Sequence, residues 1–158
     1  MRLVVGSDHA GFALKQLVLD HLQALGHAVT DIGCFDDQPV DFPDIARQVG
    51  AAIRTGAAER GLIVCGTGVG AAIAADKMKG IRAAVCHDVH SAHQSVEHDD
   101  VNVMCIGAQI VGPWLAKDLI SAYLAASFSA EEEFRRRVDK VGAMENERQA
   151  DRGSDSNT

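Results

Sequence analysis

The stretch LIVCGTGVGAAIAADK, residues 62–77, joins a thiol to three glycines at alternate positions. Cys65 closes a short apolar run, and Gly66, Gly68 and Gly70 let the backbone turn tightly and bring its N–H groups close to a ligand. An Ala-rich helix follows, so those N–H groups stand at a helix start, a position that favours negative charge. The spacing fits neither the P-loop pattern nor the dinucleotide fingerprint, which argues against a nucleotide phosphate. The anion could be a phosphate, a carboxylate or an oxyanion that arises only during reaction. A thiol at the mouth of the loop favours the last, because a positive helix end is expected to pull its pKa down towards working pH. A thiolate beside an oxyanion hole can take a proton from carbon and have the resulting enediolate stabilised. The competing reading makes Cys65 a small buried apolar residue, like Cys86 and Cys105 near other strand ends.

Other residues of reactive type lie in three places. Asp8-His9 follows the first apolar run and suits acid/base work or the binding of hydroxyl groups, although a capping Asp beside a surface His has the same look. His87, His90 and His93 recur every third residue, so neighbouring pairs share one side of a helix. No carboxylate–histidine pattern of known ligand spacing accompanies them, and no metal is expected. Arg135, Arg136 and Arg137 follow Glu131, Glu132 and Glu133, the pattern of a solvated helix face or, in the sharper alternative, a phosphate contact.

The elements that must position these groups alternate strictly. Leu3-Val4-Val5 reads as a strand ending at Gly6, and Leu14, Leu17, Val18, Leu22 and Leu25 then recur at helical spacing before Gly26. HAVTDIG is the second strand, and a turn-rich segment leads to a helix marked by Ile45, Val49 and Ile53. GLIVCG, IRAAVC and VNVMCIG are strands three to five. AAIAADKM and SAHQSVEH are the helices between them. Pro113 opens a further helix at an allowed first-turn position, and residues 129–147 form the last. Strand and helix in alternation predict a single α/β domain over residues 1–148: a five-stranded parallel sheet with helices on both faces, in three layers. The final residues, 149–158, read as a polar, disordered tail. Strand order is not legible from periodicity. Ligands of open α/β sheets bind outside the carboxyl ends of the strands. That rim is where Asp8, His9, Cys65, His87 and Gln109 fall.

Composition narrows the function classes. The 158 residues carry a net charge of −7, which disfavours nucleic acid as a partner. No apolar run approaches the roughly 20 residues that span a bilayer, and residues 1–12 lack a secretory signal pattern. Four dispersed cysteines, with no paired motif, fit a reducing cytoplasm.

Together GSDHAGF (6–12), DFPDIA (41–46), CGTGVG (65–70), AADK (74–77), GIRAAVCHD (80–88), SA (91–92), NVMCIGA (102–108) and RVDKV (137–141) resemble the type B ribose-5-phosphate isomerases and the related galactose-6-phosphate isomerase subunits. The likeness covers nearly the whole chain. It implies a Rossmann-like or flavodoxin-like sandwich without metal or cofactor, working as a dimer or tetramer whose active sites draw on two subunits. It implies aldose–ketose isomerisation of a sugar or sugar phosphate through a cis-enediolate, with ribose 5-phosphate as the default substrate. On that resemblance Cys65 moves the proton between C1 and C2. Thr67 and the amides of Gly66, Gly68, Val69 and Gly70 hold the oxyanion, and His98 assists ring opening. Asp8 and His9 bind sugar hydroxyls and the ring oxygen, with Asp99 and Arg137 on the substrate as well.

The departures are specific. Asp99 stands where the family usually has asparagine, and Phe42 where it commonly has tyrosine. Gln109 and Glu133 replace two arginines of the phosphate clamp, and charge-assisted contacts to phosphate are the strong ones. The alternatives are therefore the same reaction on another, even unphosphorylated, sugar, or a sugar-binding subunit without catalysis.

Overall fold

The computed structural model describes residues 1–154, with 148–154 as backbone alone. In chain order the elements are β1 (Arg2–Ser7), α1 (Phe12–Ala24), β2 (Ala28–Asp31), α2 (Phe42–Arg54), β3 (Arg60–Cys65) and α3 (Val69–Ala75). They continue with β4 (Ala83–Val85), α4 (Val89–Asp99), β5 (Val103–Gly107), α5 (Pro113–Ala125) and α6 (Glu132–Ser154). The five strands form one parallel sheet in the order β2-β1-β3-β5-β4.

Alternation along the strands sorts the core into two layers. Leu3, Val5, Leu62, Val64, Met104 and Ile106 face α1, α4 and α5, where Leu14, Val18, Leu22, Leu119 and Ile120 meet them. Val4, Ile63, Val103 and Cys105 face the other way, onto Ile45 and Val49 of α2 and Ala71 and Ala75 of α3. The α/β sandwich expected from the alternation is thus present, with helices on both faces.

Several boundaries shift, each for a local reason. β2 stops at Asp31 because the chain then turns across the end of β1, where Ser7 N–H donates to Gly33 O at 2.6 Å. β4 shrinks to three residues because it is an edge strand with only β5 to pair with. The last helix starts at Glu132 and runs to Ser154, into the span expected as a polar tail; residues 155–158 lie outside the described residues. α4 begins at Val89, where Asp88 accepts the Ser91 N–H at 2.7 Å as its N-cap. Among the described residues no helix is long and apolar enough to cross a membrane.

One buried group carries a direct stability test. The Tyr123 side chain is fully buried, and its hydroxyl is the one buried side-chain polar atom without a hydrogen-bond partner among the described residues. A buried hydroxyl that makes no bond gives back nothing for its lost hydration. Tyr123→Phe is therefore expected to leave the urea midpoint unchanged or raise it, by up to about 1 kcal/mol of stability. A clear loss in urea melts would show that the hydroxyl is held by a partner.

Candidate active site

The path of the chain through the sheet sets the location. From β1 the chain steps outward to β2, then returns across β1 to β3. Such reversals place ligands between the carboxyl ends of the two strands, here β1 and β3. Asp8 follows β1 and Cys65 ends β3, so the two side chains meet there. The Cys65 thiol donates to Asp8 Oδ2 at 3.0 Å, and Gly11 N–H donates to Oδ1, also at 3.0 Å. Both residues are buried. Gly11 makes this turn possible: a Cβ there would stand 2.0 Å from the Val64 carbonyl oxygen, a clash with backbone that cannot yield.

The glycine loop closes over the sulfur. Gly68 has φ +80°, a left-handed conformation that glycine adopts without penalty, and it caps α3. Val69 and Gly70 already belong to the first turn of α3, which starts two residues before the expected AAIAADKM. The backbone N–H groups of Gly68 and Thr67 face the sulfur and favour its thiolate. They do not prevail. Burial, and then the bond to the Asp8 carboxylate, hold the thiol above its ordinary range. The expectation of a depressed pKa is therefore corrected: α3 has seven residues, and its start is outweighed by desolvation and by a carboxylate at contact distance.

The remaining rim groups are fixed by backbone. Thr67 Oγ1 accepts the Val69 N–H at 3.4 Å, which leaves its own O–H to donate elsewhere. His9 Nδ1 accepts Val40 N–H at 3.3 Å. The ring of Phe42 covers Gly70, where a Cβ would come within 2.9 Å of it. Gln109 lies beside Gly66, its N–H donating to Gly66 O at 3.0 Å. His87 Nε2 accepts Gly107 N–H at 2.9 Å, so the neutral ring carries its proton on Nδ1. Asp8, His9, Cys65, Thr67, Gly66, Gly68, Val69 and Gly70 thus share one rim.

His98, Asp99 and Arg137 do not join them. α4 runs back from the rim, and its last turn lies near the amino end of β5. Register places Val103 beside Gly61 at that end and Gly107 beside Cys65 at the other. The intervening strand spans about 13 Å. At the far edge the His98 ring stacks on Phe134, with centroids 4.0 Å apart. Asp99 and Arg137 line a groove of about 470 Å³ whose apolar wall includes Ile81, Val101, Val138 and Met144. Arg137 pairs with Glu133 at 3.6 Å, so the anionic replacement faces the cation that remains. Within a single copy of the chain the two groups of residues therefore lie on opposite edges of the sheet.

The histidine triplet is also dispersed. His87 stands at the rim, His90 is exposed, and His93 faces Glu97 at 3.5 Å. Among the described residues no three His, Cys, Asp or Glu side chains converge as a metal site would require. Sequence reasoning missed two positioning residues. Lys15 sits in the apolar face of α1, three and seven residues before Val18 and Leu22, and a lysine on a buried stripe was the signal. Gly11 gave no signal beyond its place within GSDHAGF.

Comparison with known proteins bears on the family and the fold. The family model described as Ribose/Galactose Isomerase matches residues 3–141. The chain is 40% identical over 147 residues to ribose-5-phosphate isomerase B of Escherichia coli (strain K12), covering 93% of this chain and 98% of that one. It is 38% identical over 150 residues to D-erythrulose-4-phosphate isomerase of Pectobacterium atrosepticum, covering 93% and 97%. The structure of Clostridium thermocellum ribose-5-phosphate isomerase B superposes with a TM-score of 0.91 at 40% identity, covering 93% of this chain and 99% of that one. The chain belongs to the ribose/galactose isomerase family.

Proposed function

We propose that the chain catalyses aldose–ketose isomerisation with Cys65 as the base. The observation that carries this reading is the Cys65 thiol, hydrogen-bonded to Asp8 beneath the Thr67 hydroxyl and the Gly66–Gly70 backbone. The thiolate removes the C2 proton of an open-chain aldose, and the electron pair moves to O1. The Thr67 hydroxyl and the loop amides receive that charge, supplying electrostatic stabilisation where charge develops. The thiol then returns the proton to C1 while the hydroxyl proton passes from O2 to O1, giving the ketose. Asp8 and His9 hold sugar hydroxyls. His98 and Asp99 stand about a sheet's height away from Cys65, so the reading requires a second copy of the chain to bring them, and Arg137, to this rim for ring opening and substrate binding. Self-association as a dimer or tetramer is part of the proposal.

The first substrate to test is ribose 5-phosphate, in keeping with the similarity to type B isomerases. A second reading has support of its own. Gln109 offers a neutral amide at the rim, and Glu133 pairs with Arg137. Both features weaken a clamp for a phosphate dianion, which favours a different or unphosphorylated sugar. The decisive comparison is kcat/KM for ribose 5-phosphate, D-erythrulose 4-phosphate and free ribose with one purified preparation. Preference for ribose 5-phosphate by several orders of magnitude supports the first reading. Preference for another sugar supports the second, and no turnover of any sugar would leave a binding subunit.

A further inference from the structure

The buried carboxylate against the thiol has a role beyond holding the sugar. Asp8 Oδ2 accepts from Cys65 Sγ at 3.0 Å, while Oδ1 is held by Gly11 N–H. Among the described residues no lysine or arginine pairs with Asp8. The buried lysine of α1, Lys15, is committed to Asp31 and to Cys34 O. A buried carboxylate with one oxygen fixed and the other on a thiol is arranged to accept that proton. We propose that Asp8 is the proton acceptor that generates the Cys65 thiolate. This rests on the reading of Cys65 as the base.

The step balances without a further reagent. The S–H bond breaks, an O–H bond forms on Asp8 Oδ2, and the negative charge moves from carboxylate to sulfur. The thiolate then removes the substrate proton and returns it to the neighbouring carbon. When product leaves, the proton on Asp8 goes back to sulfur. The N–H groups of Gly68 and Thr67 receive the charge on sulfur during the cycle. Moving the proton from thiol to carboxylate runs uphill, because a thiol is the weaker acid, and the N–H groups facing the sulfur offset part of that cost. Of the other titratable groups, Cys105 on β5 lies close to Cys65, His87 after β4 reaches it only through Gly107, the register partner of Cys65, and His9, next in sequence to Asp8, is engaged with the Val40 N–H.

Asp8→Asn tests this with opposite signs in two readouts. Asn Oδ1 can keep the Gly11 N–H bond, and its amide then donates to sulfur where the carboxylate accepted. The pH midpoint for alkylation of Cys65 by iodoacetamide, followed by peptide mass, should fall by at least about one unit, because a like charge at contact has been removed. Alkylation at pH 7 then rises roughly tenfold. Isomerase kcat should fall about a hundredfold, the usual loss of an acid–base partner. Asp8→Glu, which retains a carboxylate, should restore part of the kcat and part of the high midpoint. An unchanged midpoint in Asp8→Asn, or a lowered midpoint with kcat intact, overturns the proposal. Alkylation needs no substrate, so its result is independent of whether Cys65 is the base. That prior reading fails separately if Cys65→Ala keeps its activity.

Discussion

Cys65→Ala is expected to reduce kcat at least about a thousandfold, within the range seen when a group that moves the proton is removed. The fold should survive. The side chain is small, sits at the end of β3, and makes one side-chain hydrogen bond, to Asp8. Losing that bond costs about 1 kcal/mol, too little to unfold a domain of this size. The measurement is wash-in of solvent deuterium at C2 of the sugar, paired with a thermal melt. Cys65→Ser sharpens the result, because a hydroxyl at the same place is a far weaker acid than a thiol and should be nearly as inactive. A serine variant retaining most of the exchange rate would exclude proton transfer by sulfur.

The same thiol links stability to pH. Its folded-state pKa is raised by burial and by Asp8, so the native protein holds the proton more tightly than the unfolded chain. The resulting stabilisation is complete below the unfolded thiol value, about 8.5. It is lost as pH climbs through the folded value. Proton transfer within the Asp8–Cys65 pair loses no proton to solvent, so activity should not need the alkaline pH at which the thiol ionises.

Lys15→Met is expected to cost about 3–5 kcal/mol, the typical loss when one member of a buried ion pair is removed. Lys15 is fully buried, and its Nζ donates to both carboxylate oxygens of Asp31, at 2.7 and 2.8 Å, and to Cys34 O at 2.6 Å. Methionine fills nearly the same space, so the loss reports charge rather than a cavity. Asp31 would keep only the Gly33 N–H at 3.0 Å. Urea melts measure the effect, and adding Asp31→Asn should recover part of it by removing the stranded charge. A loss below about 1 kcal/mol would contradict the buried-pair account. The consequences reach the site, because the connection from β2 to α2 carries Val40, which bonds His9, and ends on Phe42, which covers Gly70. Destabilised but folded Lys15→Met should therefore also lose kcat/KM.

Lys15 also shows where sequence reasoning stops. Periodicity found the buried face of α1 at Leu14, Val18 and Leu22, but Leu17 and Leu25 of the same pattern are exposed. It could not say that one lysine on that face finds a carboxylate on β2 and a carbonyl beyond it. The partners are 16 and 19 residues away and adjacent only because β1 and β2 pair. The sign of the Cys65 shift failed for a similar reason. A glycine loop opening a helix is a local feature and pulls the pKa down. The opposing carboxylate comes from a strand 57 residues earlier in the chain.

The sequence by itself determined the alternation of strand and helix, the two-faced burial of the sheet, the family likeness, and the presence of a thiol beside a glycine loop at a strand end. These follow from nearest-neighbour chemistry and short periods. Only the tertiary structure decided the strand order, the contact between Cys65 and Asp8, and the separation of His98, Asp99 and Arg137 to the opposite edge. A parallel sheet returns each helix to the far edge before the next strand begins. Residues at a strand's end and at a helix's end are therefore divided by the height of the sheet, however close they stand in sequence.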